Sequence, residues 1–101
     1  MREILDQQSR VLLLRWQGGD GVLHEYSTSH ARLVLKLTHP DRIGFLTIVL
    51  SPCHFWSGAI GWRSMKIELA TGADGDIILY DKLNALFVIA GGIGVFEHPG
   101  R

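Results

Sequence analysis

Five histidines (His24, His30, His39, His54 and His98) and one cysteine, Cys53, are the side chains of this 101-residue sequence best equipped to bind a metal or to act as base and nucleophile. Metal ligands normally come in tight pairs such as CxxC, HxH or HxxxH, which bring two donors to one ion. No such pair occurs here, so no metal is expected. Cys53 and His54 are neighbours, and successive side chains of an extended chain point to opposite faces. That separates a nucleophile from its base, which must lie within hydrogen-bonding reach. A GxSxG elbow is absent.

Other motif-like stretches fail on spacing. Gly91-Gly92-Ile93-Gly94 has Glu97 where a dinucleotide fingerprint requires glycine, and no lysine follows to complete a phosphate loop. Glycines in this setting predict a tight turn or bulge. Asp74-Gly75-Asp76 lacks the glutamate and ligand spacing of a calcium loop and reads as a hairpin turn. Glu68 falls on a solvent face, and Asp74, Asp76 and Asp81 fall at strand ends or turns, so nothing gathers two carboxylates in a cleft. An enzyme would need His54 to meet Asp81 or Glu97 across the fold. The expectation is a chain without cofactor and without catalytic residues.

Composition narrows the partners. Ten Lys and Arg balance ten Asp and Glu. A nucleic-acid binder needs surplus cations to displace counterions from phosphates, so nucleic acid is not an expected partner. Zero net charge also removes one barrier to self-association. No stretch approaches the ~18 uninterrupted apolar residues of a membrane span, and MREILDQQSR holds no apolar run long enough for a signal peptide. With no second cysteine for an intrachain disulfide, a cytosolic protein is expected.

The elements that position these residues read as a small β-rich domain. Val11–Trp16 is apolar on both parities except at Arg15 and reads as a strand. The Gln17–Gly21 turn and a returning strand at Val22–Tyr26 follow. Residues 1–9 read as a short helical turn or a loose arm. Ala31–Thr38 alternates cleanly, with Leu33, Leu35 and Leu37 on one face and Arg32, Val34, Lys36 and Thr38 on the other. His39-Pro40-Asp41-Arg42 turns it back into Gly44–Ser51. Arg63–Ala70 alternates again and pairs with Ile77–Tyr80 across Thr71–Asp76. Residues 81–90 fit either a helix capped by Asp81 or a strand, and the β-prone Phe87-Val88-Ile89 favours the strand. Val95–Glu97 is a short last strand, and 98–101 a tail. The expected architecture is mainly β: a single-domain antiparallel meander closed as a sandwich, barrel or strongly curled sheet, with room for one short helix.

The unusual feature is the phase of the tryptophans. In an unbroken strand from Trp62 to Leu69, Met65, Ile67 and Leu69 define the buried face and Trp62 falls on the other. Trp56 and Trp62 share one parity. Either a bulge near Gly58 or Gly61 resets the phase and buries the rings, or an aromatic patch stands exposed for a partner. The leading expectation is a non-enzymatic interaction module, a homo-oligomer (dimer) or a binder of another protein, using Phe55, Trp56, Trp62, Trp16 and His54. The alternative is a small-molecule pocket lined by Trp16, Phe55, Trp56 and Trp62.

Overall fold

A computed structural model describes residues 7–72 and 74–99. Among these, one helix, α1 (Gln7–Arg15), precedes nine strands: β1 (Asp20–Ser27), β2 (Arg32–Thr38), β3 (Phe45–Leu50), β4 (Cys53–Ser57), β5 (Gly61–Trp62), β6 (Glu68–Thr71), β7 (Ile77–Asp81), β8 (Leu86–Ala90) and β9 (Ile93–His98). They form two antiparallel sheets, ordered β5-β1-β2-β3-β9 and β4-β8-β7-β6. One hydrophobic core draws on both sheets, so the architecture is the mainly β one that the alternation predicts. No helix among the described residues is long and apolar enough to cross a membrane.

The β2–β3 hairpin is the centre of this core. Its register sets Leu33 against Leu50, Leu35 against Ile48 and Leu37 against Leu46, all six fully buried. Each such side chain contributes ~1.5–3 kcal/mol by leaving water. The His39–Arg42 turn closes as read: the Arg42 N–H donates to the His39 carbonyl and the Asp41 N–H to His39 Nδ1. From β3 the chain crosses at Ser51-Pro52 to the second sheet, and it returns beside that crossing at Gly91-Gly92.

Three expectations need correction. The first is Val11–Trp16, which belongs to α1 and the turn after it rather than to a strand. Its run of leucines carries good helix propensity, and apolar residues on both parities suit a helix as well as a strand. Leu13 and Trp16, three apart, enter the core, while Leu14 faces out. Val22–Tyr26 therefore lies inside β1 and pairs with β2 and β5 instead. Residues 7–9 open the helix, and residues 1–6 of the expected arm lie outside the described residues. The helix is fastened to β9 through Glu97. Its carboxylate accepts the Trp16 Nε1–H at 2.7 Å and faces the Arg15 guanidinium at 3.3 Å. Arg42 donates to the Arg15 carbonyl at 2.9 Å and so satisfies part of the helix C-terminus.

The second correction concerns Arg63–Ala70. The chain leaves β5 after Trp62, and β6 in the other sheet begins only at Glu68. Between them Ser64 takes a left-handed φ of 46°. The segment is held by groups on both sides. Asn84 accepts the Arg63 N–H and donates to the Arg63 carbonyl; Asp20 accepts the Ser64 N–H. Met65 exchanges backbone bonds with Gly18 and Gly19, and Gln17 bonds both the N–H and the carbonyl of Ile67. The phase is thus reset at Ser64, so Trp62, Met65 and Ile67 all point inward. Gly21 is where this becomes tight, since a Cβ there would run into the Met65 sulfur beneath the Trp62 ring.

The third correction is minor. Residues 81–90 are a turn followed by β8, so the strand reading holds from Leu86 onward. The last strand is longer than expected, running from Ile93 through His98. Asp81 does cap, but it caps the turn: Oδ1 accepts the Asn84 N–H, while Oδ2 accepts from Asn84 Nδ2 and the Lys66 N–H. Ala85 then takes φ 54°, which ends any helical path. Asp81 is fully buried, so these three donors are what make its burial tolerable.

Two outcomes follow. Asp81→Ala leaves the part-buried Lys66 N–H without its acceptor and frees Asn84, and should cost about 1–3 kcal/mol in urea unfolding, against under about 0.5 kcal/mol for the exposed Leu83→Ser. The Glu97 carboxyl is held below its ordinary value of 4.5, chiefly by the Trp16 hydrogen bond, with partial burial opposing and Arg15 and Arg42 adding to the lowering. A depressed carboxyl adds stability above its ordinary value and loses it as pH falls through the depressed one. The melting-temperature difference between the wild type and Glu97→Gln should therefore be present at neutral pH and shrink progressively as pH falls below the ordinary value of 4.5.

Candidate functional site

An antiparallel sheet in a two-layer fold normally shows an apolar inner face and a polar outer one. The five-stranded sheet obeys this in part, with the exposed Val22 and Phe96 as apolar exceptions on its outer face. Its outer positions include Glu25, Arg32, Lys36 and Thr47, with register rows such as Val22–Lys36–Thr47–Phe96. The ring of Phe45 is itself covered there, by Lys36 Nζ at 4.3 Å from its centroid and by His98 stacked at 4.5 Å.

The four-stranded sheet does not obey it. Its inner residues Val88, Leu79, Leu86 and Ala90 are buried in the core. The alternate residues form two outward rows, Phe55–Ile89–Ile78–Ala70 and Ser57–Phe87–Tyr80–Glu68. Only Glu68 among these eight carries a charge. Phe55 is 51% exposed and Phe87 38%, and their rings meet edge-on at 6.2 Å. Beside them, Ile78, Tyr80 and Phe87 line a shallow apolar depression of about 530 Å³. Contiguous apolar patches of a few hundred Å² on a folded surface are often functional.

Charges frame the two ends of this face with opposite signs. At one end the β6–β7 turn carries Asp74 and Asp76, with His54 Nε2 3.8 Å from Asp76 Oδ1. At the other, the exposed Lys66 and Lys82 share a hollow with Glu68.

The residues expected to form a site are divided by the fold. Trp62 is 4% exposed and Trp16 1%, and both belong to the core. The Trp62 indole N–H has no acceptor among the described residues. Trp62 borders an open depression of about 550 Å³ with Asp20, Arg63 and Asn84, but neither Trp16, Phe55 nor Trp56 lines it. On β4 the register slips between Cys53 and Phe55, with His54 as the extra residue. That bulge turns Cys53 and Trp56 inward and leaves Phe55 outward. Burial raises the Cys53 thiol's pKa, with a backbone hydrogen bond of Phe55 opposing. His54 keeps Asp76 as its acidic neighbour. Asp81 is instead bound by Asn84 and Lys66, and Glu97 by Trp16 and Arg15. Among the described residues no three of His, Cys, Asp and Glu gather as a metal set would.

Of the expected set, then, Phe55 and His54 lie on or beside the apolar face. Phe87, Tyr80, Ile78 and Ile89 complete it, and sequence reasoning passed over them. Their signal was present: Ile77–Tyr80 and Leu86–Ala90 are apolar on both parities, the pattern of strands covered on both faces.

Comparison with known proteins returns no matching family model, no similar curated sequence and no similar solved structure.

Proposed function

We propose that this protein is a non-enzymatic interaction module that binds another protein surface through the outer face of β4-β8-β7-β6. The observation that carries this reading is the two-row apolar face itself. A core already closed by the inner residues has no use for Phe55, Phe87, Ile78, Tyr80 and Ile89 outside it, and exposing them to water is unfavourable until a partner covers them. Aromatic anchors within an apolar patch rimmed by charges match the anatomy of protein contacts. The reading also explains why polar side chains with chemical potential are occupied elsewhere: Asp81 and Glu97 hold the fold together. The proposed setting is the reducing cytosol, which suits a lone buried thiol.

A small-molecule pocket built from Trp16, Phe55, Trp56 and Trp62 finds less support. Two of the four are core residues, and Phe55 and Trp56 project from opposite faces of β4.

The test is site-specific photocrosslinking. A benzophenone side chain replacing Phe87 should give protein adducts in concentrated solution or in cell extract. The same group replacing Val22, on the outer side of the other sheet, should give none. Equal yields at both positions, or none at either, would sink the reading.

A further inference from the structure

Resting on that reading, we infer that the occupant of the apolar face is a second copy of this chain, paired about a two-fold axis that lies in the interface and runs across the strands. The face is polar in a directional sense. Along the strands it passes from the acidic end (Asp74, Asp76), through the two largely apolar rows, to an end where the exposed Lys66 and Lys82 outweigh the half-buried Glu68 beside them, Asp81 being enclosed and hydrogen-bonded. A two-fold axis across the strands reverses that direction in the partner. It lays Lys82 and Lys66 of each copy over the Asp74–Asp76 turn of the other, twice by symmetry. A two-fold axis along the strands would instead stack acid on acid and base on base, which opposes association. The electrostatics thus select one of the two isologous arrangements.

The apolar rows fit the same operation. The axis passes between them, so each row faces the other row of the second copy. Phe87 of each copy meets the partner's Ile89, Tyr80 meets the partner's Ile78, Phe55 meets the partner's Ser57, and at the sheet edge Glu68 meets the partner's Ala70. Bulky residues are thereby set against smaller ones, as interdigitated layers require. Strands of the two copies run antiparallel, near the aligned packing of stacked sheets, ~10 Å apart. The chain's zero net charge leaves no long-range repulsion to overcome.

Size sets the strength. Four strands ~4.8 Å apart and about five residues long at ~3.3 Å each make a face on the order of 300 Å². That is below the ~800 Å² per partner of a standard interface, so pairing is weak and reversible.

Sedimentation equilibrium over roughly 5–500 µM at low salt reads this directly. The weight-average mass should climb from 11.3 kDa toward twice that value. Lys82→Glu and Asp74→Lys should each weaken pairing by about tenfold, and the double variant Lys82→Glu/Asp74→Lys should recover most of the loss, because the swapped charges meet again across the axis. All four proteins should have the same circular dichroism, since both side chains are exposed. A wild type that stays at 11.3 kDa throughout overturns the second copy as occupant, and so does a double variant no stronger than either single one. If the mass stays at one chain while the Phe87 photoprobe captures other proteins, self-pairing falls and the interaction reading stands. If the mass stays at one chain and the probe captures nothing, both fall.

Discussion

The buried carboxylate of Asp81 is the tie on which the rest of the structure depends. It sits at the end of β7, fully enclosed, and holds Asn84 in its own turn and the Lys66 backbone N–H in the strand crossing between sheets. Asn84 in turn grips Arg63 by both backbone groups. A buried carboxylate without these donors would cost several kcal/mol, so the chain has one arrangement in which it is tolerable. That arrangement fixes where the chain leaves β5, and hence that Trp62, Met65 and Ile67 enter the core. The specificity comes from polar bonds; the stability comes from the leucine ladder of β2 and β3.

Once the interior is closed in this way, the apolar residues left outside become informative. In the five-stranded sheet they are interspersed with polar residues: Val22 and Phe96 stand exposed and apart, while Phe45 is covered by Lys36 and His98. In the four-stranded sheet they form two complete rows bounded by charge. Burial of the inner residues explains the fold; the proposed contact would use the alternate, outward residues of the same strands.

How much of this was legible in the sequence depended on whether the local pattern had one solution. Arg32–Thr38 alternates apart from Val34 and is bounded by a proline turn, so its strand, its partner and its leucine face were readable. Val11–Leu14 had no such constraint: four consecutive apolar residues satisfy both periods, and the Glu97–Trp16 bond that secures the helix lies 81 residues away in sequence. The position of Trp62 was unreadable for a related reason. Its reset occurs at Ser64, a residue that carries no glycine signal, and it is imposed by Asn84, Asp20 and Gln17 from distant segments. For the contact face, attention to tryptophan drew the eye to residues that the core needed. The doubly apolar β7 and β8 were the better clue, because a period of two can say which side is buried only when one side is polar.

The central claim is that the outer face of β4-β8-β7-β6 is covered in solution, and amide chemical shifts followed through serial dilution test it residue by residue. Resonances of Phe55, Ile78, Tyr80, Phe87 and Ile89 should move together along one binding curve, while those of Val22, Lys36 and Thr47 on the opposite sheet stay fixed. Shifts that are absent, or that appear equally on both sheets, would contradict the account.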